Sequence, residues 1–191
     1  MRRFTASELV AFLSAIDEAL VRPVEVIVIG GTAAAVHHGV RRTTQDVDTW
    51  STVGAELAEA IVRAREKTGL RVPFSQSGVA DAPYDFETRL ERAMPRLCRL
   101  IIKVPEKHDL VLMKTVRCYE HDVETIVELH AQTPLDLETL VSRYEREMGA
   151  AIIDPTRLRG NFLTVIERLF PEALADIERR LKRRRGTRKR C

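Results

Sequence analysis

The chain has 191 residues, 45% hydrophobic and 31% charged, the balance of a globular protein able to bury a core rather than of a disordered or fibrous one. Its net charge of +3 conceals an asymmetry, because residues 179–190, from Arg179 to Arg190, hold nine Lys or Arg and no acid, leaving 22 basic against 28 acidic residues before them. No apolar run approaches the ~20 residues that cross a bilayer, which argues against a membrane protein, and residues 1–8 reach Glu8 without a long apolar stretch, so no secretory signal is read and a cytoplasmic location is expected.

Leu9, Val10, Phe12, Leu13, Ile16 and Leu20 recur at helical spacing after Thr5-Ala6-Ser7-Glu8. That pattern predicts an amphipathic helix capped by Ser7 or Thr5 and ended by Pro23. Val24-Glu25-Val26-Ile27-Val28-Ile29 is β-branched and nearly all apolar, as expected of an internal strand buried on both faces. Gly30-Gly31 breaks it, residues 32–38 read as a short Ala-rich helix stopped by Gly39, and residues 46–51 as a second strand. Residues 54–68 read as a helix capped by Gly69, and residues 71–84, with Pro73, Gly78 and Pro83, as short strands and turns. Residues 97–104 form a third strand. From Pro105 the pattern is helical, interrupted at Thr133-Pro134, Ile153-Asp154-Pro155 and Phe170-Pro171. The chain is thus read as α+β: an α/β core over residues 1–104, a helical part over 105–178 that completes the site, and a basic tail over 179–191.

The residues that carry chemistry centre on Asp46 and Asp48 in Arg42-Thr43-Thr44-Gln45-Asp46-Val47-Asp48. In an extended strand side chains repeat with period two, so both carboxylates leave one face with Cβ atoms about 7 Å apart. Two carboxylates so placed suit one or two hard cations such as Mg²⁺, held through oxygen. Gly30 and Gly31, at the end of the preceding strand, let backbone N–H groups approach a phosphate closely, and Thr32 adds a hydroxyl. Downstream, Lys114, Arg117 and His121 are spaced i, i+3 and i+7, which predicts one helical face with Asp122 beside it. Cations there would neutralise charge developing on a transferring phosphate. Asp85 and Glu87 alternate after Pro83 as in a strand, and either is a candidate third metal ligand or base.

Strand, Gly-Gly, short helix and then Asp-x-Asp on the next strand resembles the nucleotidyltransferase fold shared by DNA polymerase β-like enzymes. The segment from Val104-Pro105-Glu106 through Lys114, Arg117 and Asp122 to Ile126 is similar to the Pro-Glu, Lys, Arg, Asp and Asp-Ile pattern of bacterial minimal nucleotidyltransferase-like proteins, the abortive-infection type toxins included. The likeness spans residues 26–128. It implies a mixed sheet flanked by helices and followed by a helical part. It also implies that Asp46 and Asp48 ligate Mg²⁺ or Mn²⁺, that Gly30, Gly31 and Thr32 cradle a nucleoside triphosphate, and that Lys114 and Asp122 are functional; Arg42 and Arg117 are read from the residues themselves as candidate phosphate contacts. His121 stands where the family often has lysine, Glu124-Thr125 replaces an acidic pattern, and Thr32 follows the second glycine where Ser is commoner.

Among the remaining residues, His37 and His38 are read as groups on a helix surface, since neighbours on a helix diverge by about 100°. Arg41 and Arg42 either contact phosphates or pair with Asp46 and Asp48. Trp50 is read as core, Cys98 and Cys118 as buried, reduced thiols, and His108 and His130 as having no visible partner. A block of like charge such as residues 179–190 is expected to be disordered and to serve as an arm for nucleic acid. The expected function is metal-dependent transfer of a nucleoside monophosphate from a triphosphate to a hydroxyl of RNA, such as tRNA, or of a protein. The resemblance adds a toxin role and a cognate antitoxin. The rival is a catalytically inactive module of the same fold that binds nucleic acid or a partner through its basic tail.

Overall fold

The computed structural model describes residues 2–77 and 81–188, with side chains as far as Arg183. The first helix, α1 (Ala6–Ala19), is capped by Thr5 rather than Ser7: the Thr5 hydroxyl accepts from the Glu8 N–H while the Glu8 carboxylate accepts from the Thr5 N–H. β1 (Val24–Ile29) runs directly into α2 (Gly30–Val36), and β2 (Val47–Thr49), α3 (Ala55–Thr68), β3 (Phe74–Gln76), β4 (Glu91–Ala93) and β5 (Leu100–Val104) follow. The helices α4 (Lys107–Arg117), α5 (Glu120–Gln132), α6 (Leu137–Glu147), α7 (Pro155–Leu169) and α8 (Leu174–Arg188) complete the chain. The strands form one mixed sheet in the order β3-β2-β1-β5-β4, flanked by helices, and the class is α+β as expected.

β1 lies parallel to β5 and antiparallel to β2, while β4 closes a hairpin with β5. Val26 and Val28 of β1, with Leu100 and Ile102 of β5, are buried. One continuous apolar cluster runs from Phe4 through Phe12, Leu57 and Leu110 to Phe162 and Leu181, joining both halves of the chain. Each such side chain stabilises the fold by about 1.5–3 kcal/mol when removed from water. The opposite face is open at one end only: Glu25 is exposed and pairs with Lys103 at 3.3 Å, Ile27 is half-buried and Ile29 buried, so the expectation of a strand buried on both faces fails at its start. A mixed sheet does not require helices on both sides, as an all-parallel one does.

Several local expectations are corrected. The second strand covers only Val47–Thr49, so Asp46 immediately precedes it. The third covers Leu100–Val104, and its hairpin partner β4 is too short to show a period in the sequence. Asp85 and Glu87 lie on no strand, because Phe86–Arg89 forms a turn of 3₁₀-helix anchored by Phe86, buried edge-on against Trp50 with ring centroids 4.9 Å apart. Cys98 is exposed and Cys118 half-buried, both as free thiols. His108 and His130 do have partners: His108 bonds Glu106 and the Asp136 N–H, and His130 accepts from the Leu135 N–H.

At the C-terminus the basic segment is not a free arm from residue 179. α8 continues to Arg188, its Ile177 and Leu181 are buried, and Arg180 bonds Glu138 and Glu145 of α6. The end of the expected tail, residues 189–191, lies outside the described residues. Among the described residues, no helix is long and apolar enough to cross a membrane.

Candidate active site

Register places the first carboxylate. Asp48 stands opposite Ile29 in the β1–β2 ladder, so the chain steps from Ile29 into Gly30 beside the Asp48 side chain. Gly30 has φ +68, in the left-handed region that favours glycine, and a Cβ there would lie 3.5 Å from Asp48 Oδ2. Gly31 is required for a different reason: a Cβ would come within 2.6 Å of Thr44 Oγ1. The buried Thr32 hydroxyl donates to the Asp46 carbonyl at 2.7 Å. The turn from Gly30 to Thr32 therefore grips residues 44–48 and fixes the backbone that carries Asp46 and Asp48. Burial raises the Asp48 carboxyl above its ordinary range and the neighbouring Asp46 charge raises it further, against the opposing pull of Arg117 and Lys114.

The last turn of α4 supplies the cations. Lys114 is 5% exposed and donates to Asp122 Oδ1 at 3.1 Å, and Arg117 donates to the same oxygen at 3.1 Å. Burial pushes the Lys114 ammonium below its ordinary range while Asp122 and, more weakly, Asp48 resist that shift. The helix ends at Cys118, whose φ of +53 turns the chain sharply. The single helical face expected for Lys114, Arg117 and His121 is thus corrected: His121 belongs to α5 and reaches the Asp122 carboxylate from there, at 3.8 Å. From α7, Asn161 donates to the Thr115 and Val116 carbonyls, both at 3.0 Å, holding the end of α4 in place. Asp122 is fully buried, and its Oδ2 has no hydrogen-bond partner among the described residues.

These parts meet in one cleft. Gly30 and Asp48 line it from the sheet, Ser77 and Asp81 from the segment after β3, and Met113, Lys114 and Arg117 from α4. Asp81 was not legible in the sequence. It lies in a loop without periodicity, and its position is fixed by a long-range bond, the Ile152 N–H donating to Asp81 Oδ1 at 3.0 Å.

The other candidates stand apart from the cleft lining. Arg42 pairs with Glu124 at 2.5 Å, not with either aspartate. The Asp85 N–H donates to Glu147, and Glu87 accepts from the Trp50 indole at 3.0 Å.

A second feature missed in the sequence is the ion network at the start of α4. Arg89 donates to both oxygens of the fully buried Asp109, at 2.8 and 3.0 Å, and to Glu147 at 2.6 Å. Arg143 pairs with Asp109 at 3.0 Å and with Glu106. Because His108 Nε2 accepts from the Asp136 N–H, its Nδ1 carries the proton and donates to Glu106 at 2.8 Å. Burial pushes Glu106 upward, but the hydrogen bond from His108 and the charge and hydrogen bond of Arg143 outweigh it and hold the carboxyl at about 2. Network at one end and cations at the other set α4 along the cleft.

In donor chemistry, carboxylate oxygens suit a hard divalent cation. Asp48 and Asp81 line the cleft and Asp46 adds negative charge beside Asp48, while among the described residues the three carboxylates do not converge on one point as they stand. Comparison with known proteins places this geometry in context. The family described as nucleotidyltransferase of unknown function (DUF6036) matches residues 7–168. The chain has no significant match among curated proteins or among solved structures.

Proposed function

The chain belongs to this family of nucleotidyltransferases, and we propose that it transfers a nucleoside monophosphate from a nucleoside triphosphate to an acceptor hydroxyl in the cleft between β2 and α4. One observation carries the reading: carboxylates Asp48 and Asp81 and cations Lys114 and Arg117 line the same cleft, beside a left-handed glycine. Asp46 and Asp48 would hold Mg²⁺ or Mn²⁺, with Asp81 lining the same cleft, and the ion when bound would supply Lewis-acid polarisation of the phosphate oxygens.

The remaining chemistry belongs to the side chains. Lys114 and Arg117 neutralise the charge that develops on the phosphoryl oxygens. The acceptor oxygen bonds to the α-phosphorus, the bond from that phosphorus to the bridging oxygen breaks, and pyrophosphate leaves with the electron pair. The acceptor proton passes to Asp81. Asp122 holds Lys114 and Arg117 in position from behind.

The acceptor is RNA, with the Lys- and Arg-rich residues 179–190 as its contact. The resemblance of residues 104–126 to abortive-infection type toxins supports a toxin role with a cognate antitoxin. The test is incubation of the purified chain with each α-labelled nucleoside triphosphate, Mg²⁺ and total cellular RNA, beside Asp46→Asn/Asp48→Asn. Label entering RNA only with the intact aspartates is the expected result. Label in protein would replace the acceptor, and equal labelling by the double variant would overturn the mechanism.

A further inference from the structure

A second cluster lies at the opposite end of α2 from Gly30, about 10 Å along a helix that rises 1.5 Å per residue. There His37, His38 and Glu91 each present a ligand atom within 4.8 Å of the others. Adjacent histidines on a helix would diverge, but α2 stops at Val36, and His37 takes a non-helical φ of −123 as its cap. The two rings then meet edge to face, with centroids 4.8 Å apart. Glu91, on the edge strand β4, completes the group with its Oε2 2.9 Å from His37 Nε2.

The tautomer of His38 is fixed by a backbone carbonyl, as it is in many metal-ligating histidines. Its Nε2 lies 3.0 Å from the Pro105 carbonyl, which can only accept, so Nε2 carries the proton and the Nδ1 lone pair is left. Metal-bound histidines characteristically donate their other N–H to a carbonyl in this way, which fixes tautomer and orientation. Among the described residues nothing hydrogen-bonds Nδ1.

We propose that His37, His38 and Glu91 form a Zn²⁺ site, independent of the transfer cleft, with a fourth position open to water. Two imidazoles and one carboxylate suit Zn²⁺ rather than Mg²⁺, and three protein ligands leave one coordination position for solvent. His37 and Glu91 are partly exposed, at 26% and 44%, which gives the ion and its water a route in. On binding, the metal takes the place of the hydrogen bond between His37 Nε2 and Glu91, and the imidazole carries its proton on Nδ1. The ion ties the end of α2 to β4, and so secures the helix whose first residue borders Asp48.

The test uses the full chain stripped with a chelator and titrated with Zn²⁺ in excess Mg²⁺, with bound metal counted after gel filtration and Co²⁺ substitution followed by its visible ligand-field absorption. His37→Ala and Glu91→Gln alter partly exposed side chains, and circular dichroism confirms that each variant folds. One Zn²⁺ per chain is expected in the native protein and in Asp46→Asn/Asp48→Asn. Each cluster variant is expected to lose at least ~100-fold in affinity, since loss of even a supporting partner costs about 10–100-fold. Absence of Zn²⁺ binding, unchanged affinity in both cluster variants, or loss confined to the aspartate variant would overturn the assignment.

Discussion

Asp48 is held where a carboxylate is uncomfortable, half-buried and close to Asp46, and its pKa is raised accordingly. A raised carboxyl pKa means that the ionised form weighs against folding: its stabilising contribution is complete below the unfolded value and is lost as pH rises through the folded one. Asp48→Asn should therefore raise the Tm of the metal-free protein at neutral pH while abolishing transfer, the trade between stability and activity expected of a working site. Differential scanning calorimetry in chelator checks the first half, and a lower Tm would contradict it. Lys114 is the converse case. Its removal leaves the fully buried Asp122, among the described residues, with the half-exposed Arg117 and His121 as its cationic partners. Lys114→Ala should cost about 3 kcal/mol, the low end for breaking a buried pair, measurable by urea unfolding. A loss under ~1 kcal/mol, the range of exposed pairs, would show that Asp122 is adequately neutralised without it.

At the scale of elements, α4 is the part that everything else positions. Arg89 joins the 3₁₀ turn to α4 through Asp109 and to α6 through Glu147, so Arg89→Ala should destabilise the fold by about 3 kcal/mol. Hydrogen exchange in residues 81–89 should accelerate more than in α1, and a uniform change would refute the local tether. Glu106 gives this end of α4 an acid limit. Its folded carboxyl titrates at about 2 against an ordinary value of 4.5. Its contribution to stability is thus complete above that ordinary value and is lost as pH falls toward the folded one. Unfolding free energy measured across that window should fall less steeply in Glu106→Gln, and identical slopes would exclude the group.

Elements were legible in proportion to their length. α1, β1 and α3 announce themselves by periodicity, capping box and a left-handed Gly69, and Pro134, Pro155 and Pro171 mark the breaks between the last four helices. β4 and the 3₁₀ turn hold too few residues to show a period, and the sharp end of α4 at Cys118 is made by a residue that rarely adopts positive φ. Asp46, Asp48, Lys114 and Asp122 could be read because each sits in a motif. Asp81, the Arg89 network and the meeting of His37 with Glu91 could not, since contacts across 71, 20 and 54 residues place them.

For the whole molecule, a single core runs from Phe4 to Leu181 and fixes the sheet, which brings Asp48, to α4, which brings Lys114 and Arg117. α8 is docked by Ile177 and Leu181 and tied to α6 through Arg180. The central claim is that transfer takes place in this cleft with Asp81 as its third carboxylate. The most direct measurement is the rate of label transfer by Asp81→Asn beside Asp85→Asn, under saturating triphosphate and Mg²⁺. The geometry predicts a loss of about 10²–10⁴-fold for Asp81→Asn, the range for removing a general base, and little change for Asp85→Asn. Native rates in Asp81→Asn, or an equal loss in both variants, would contradict it.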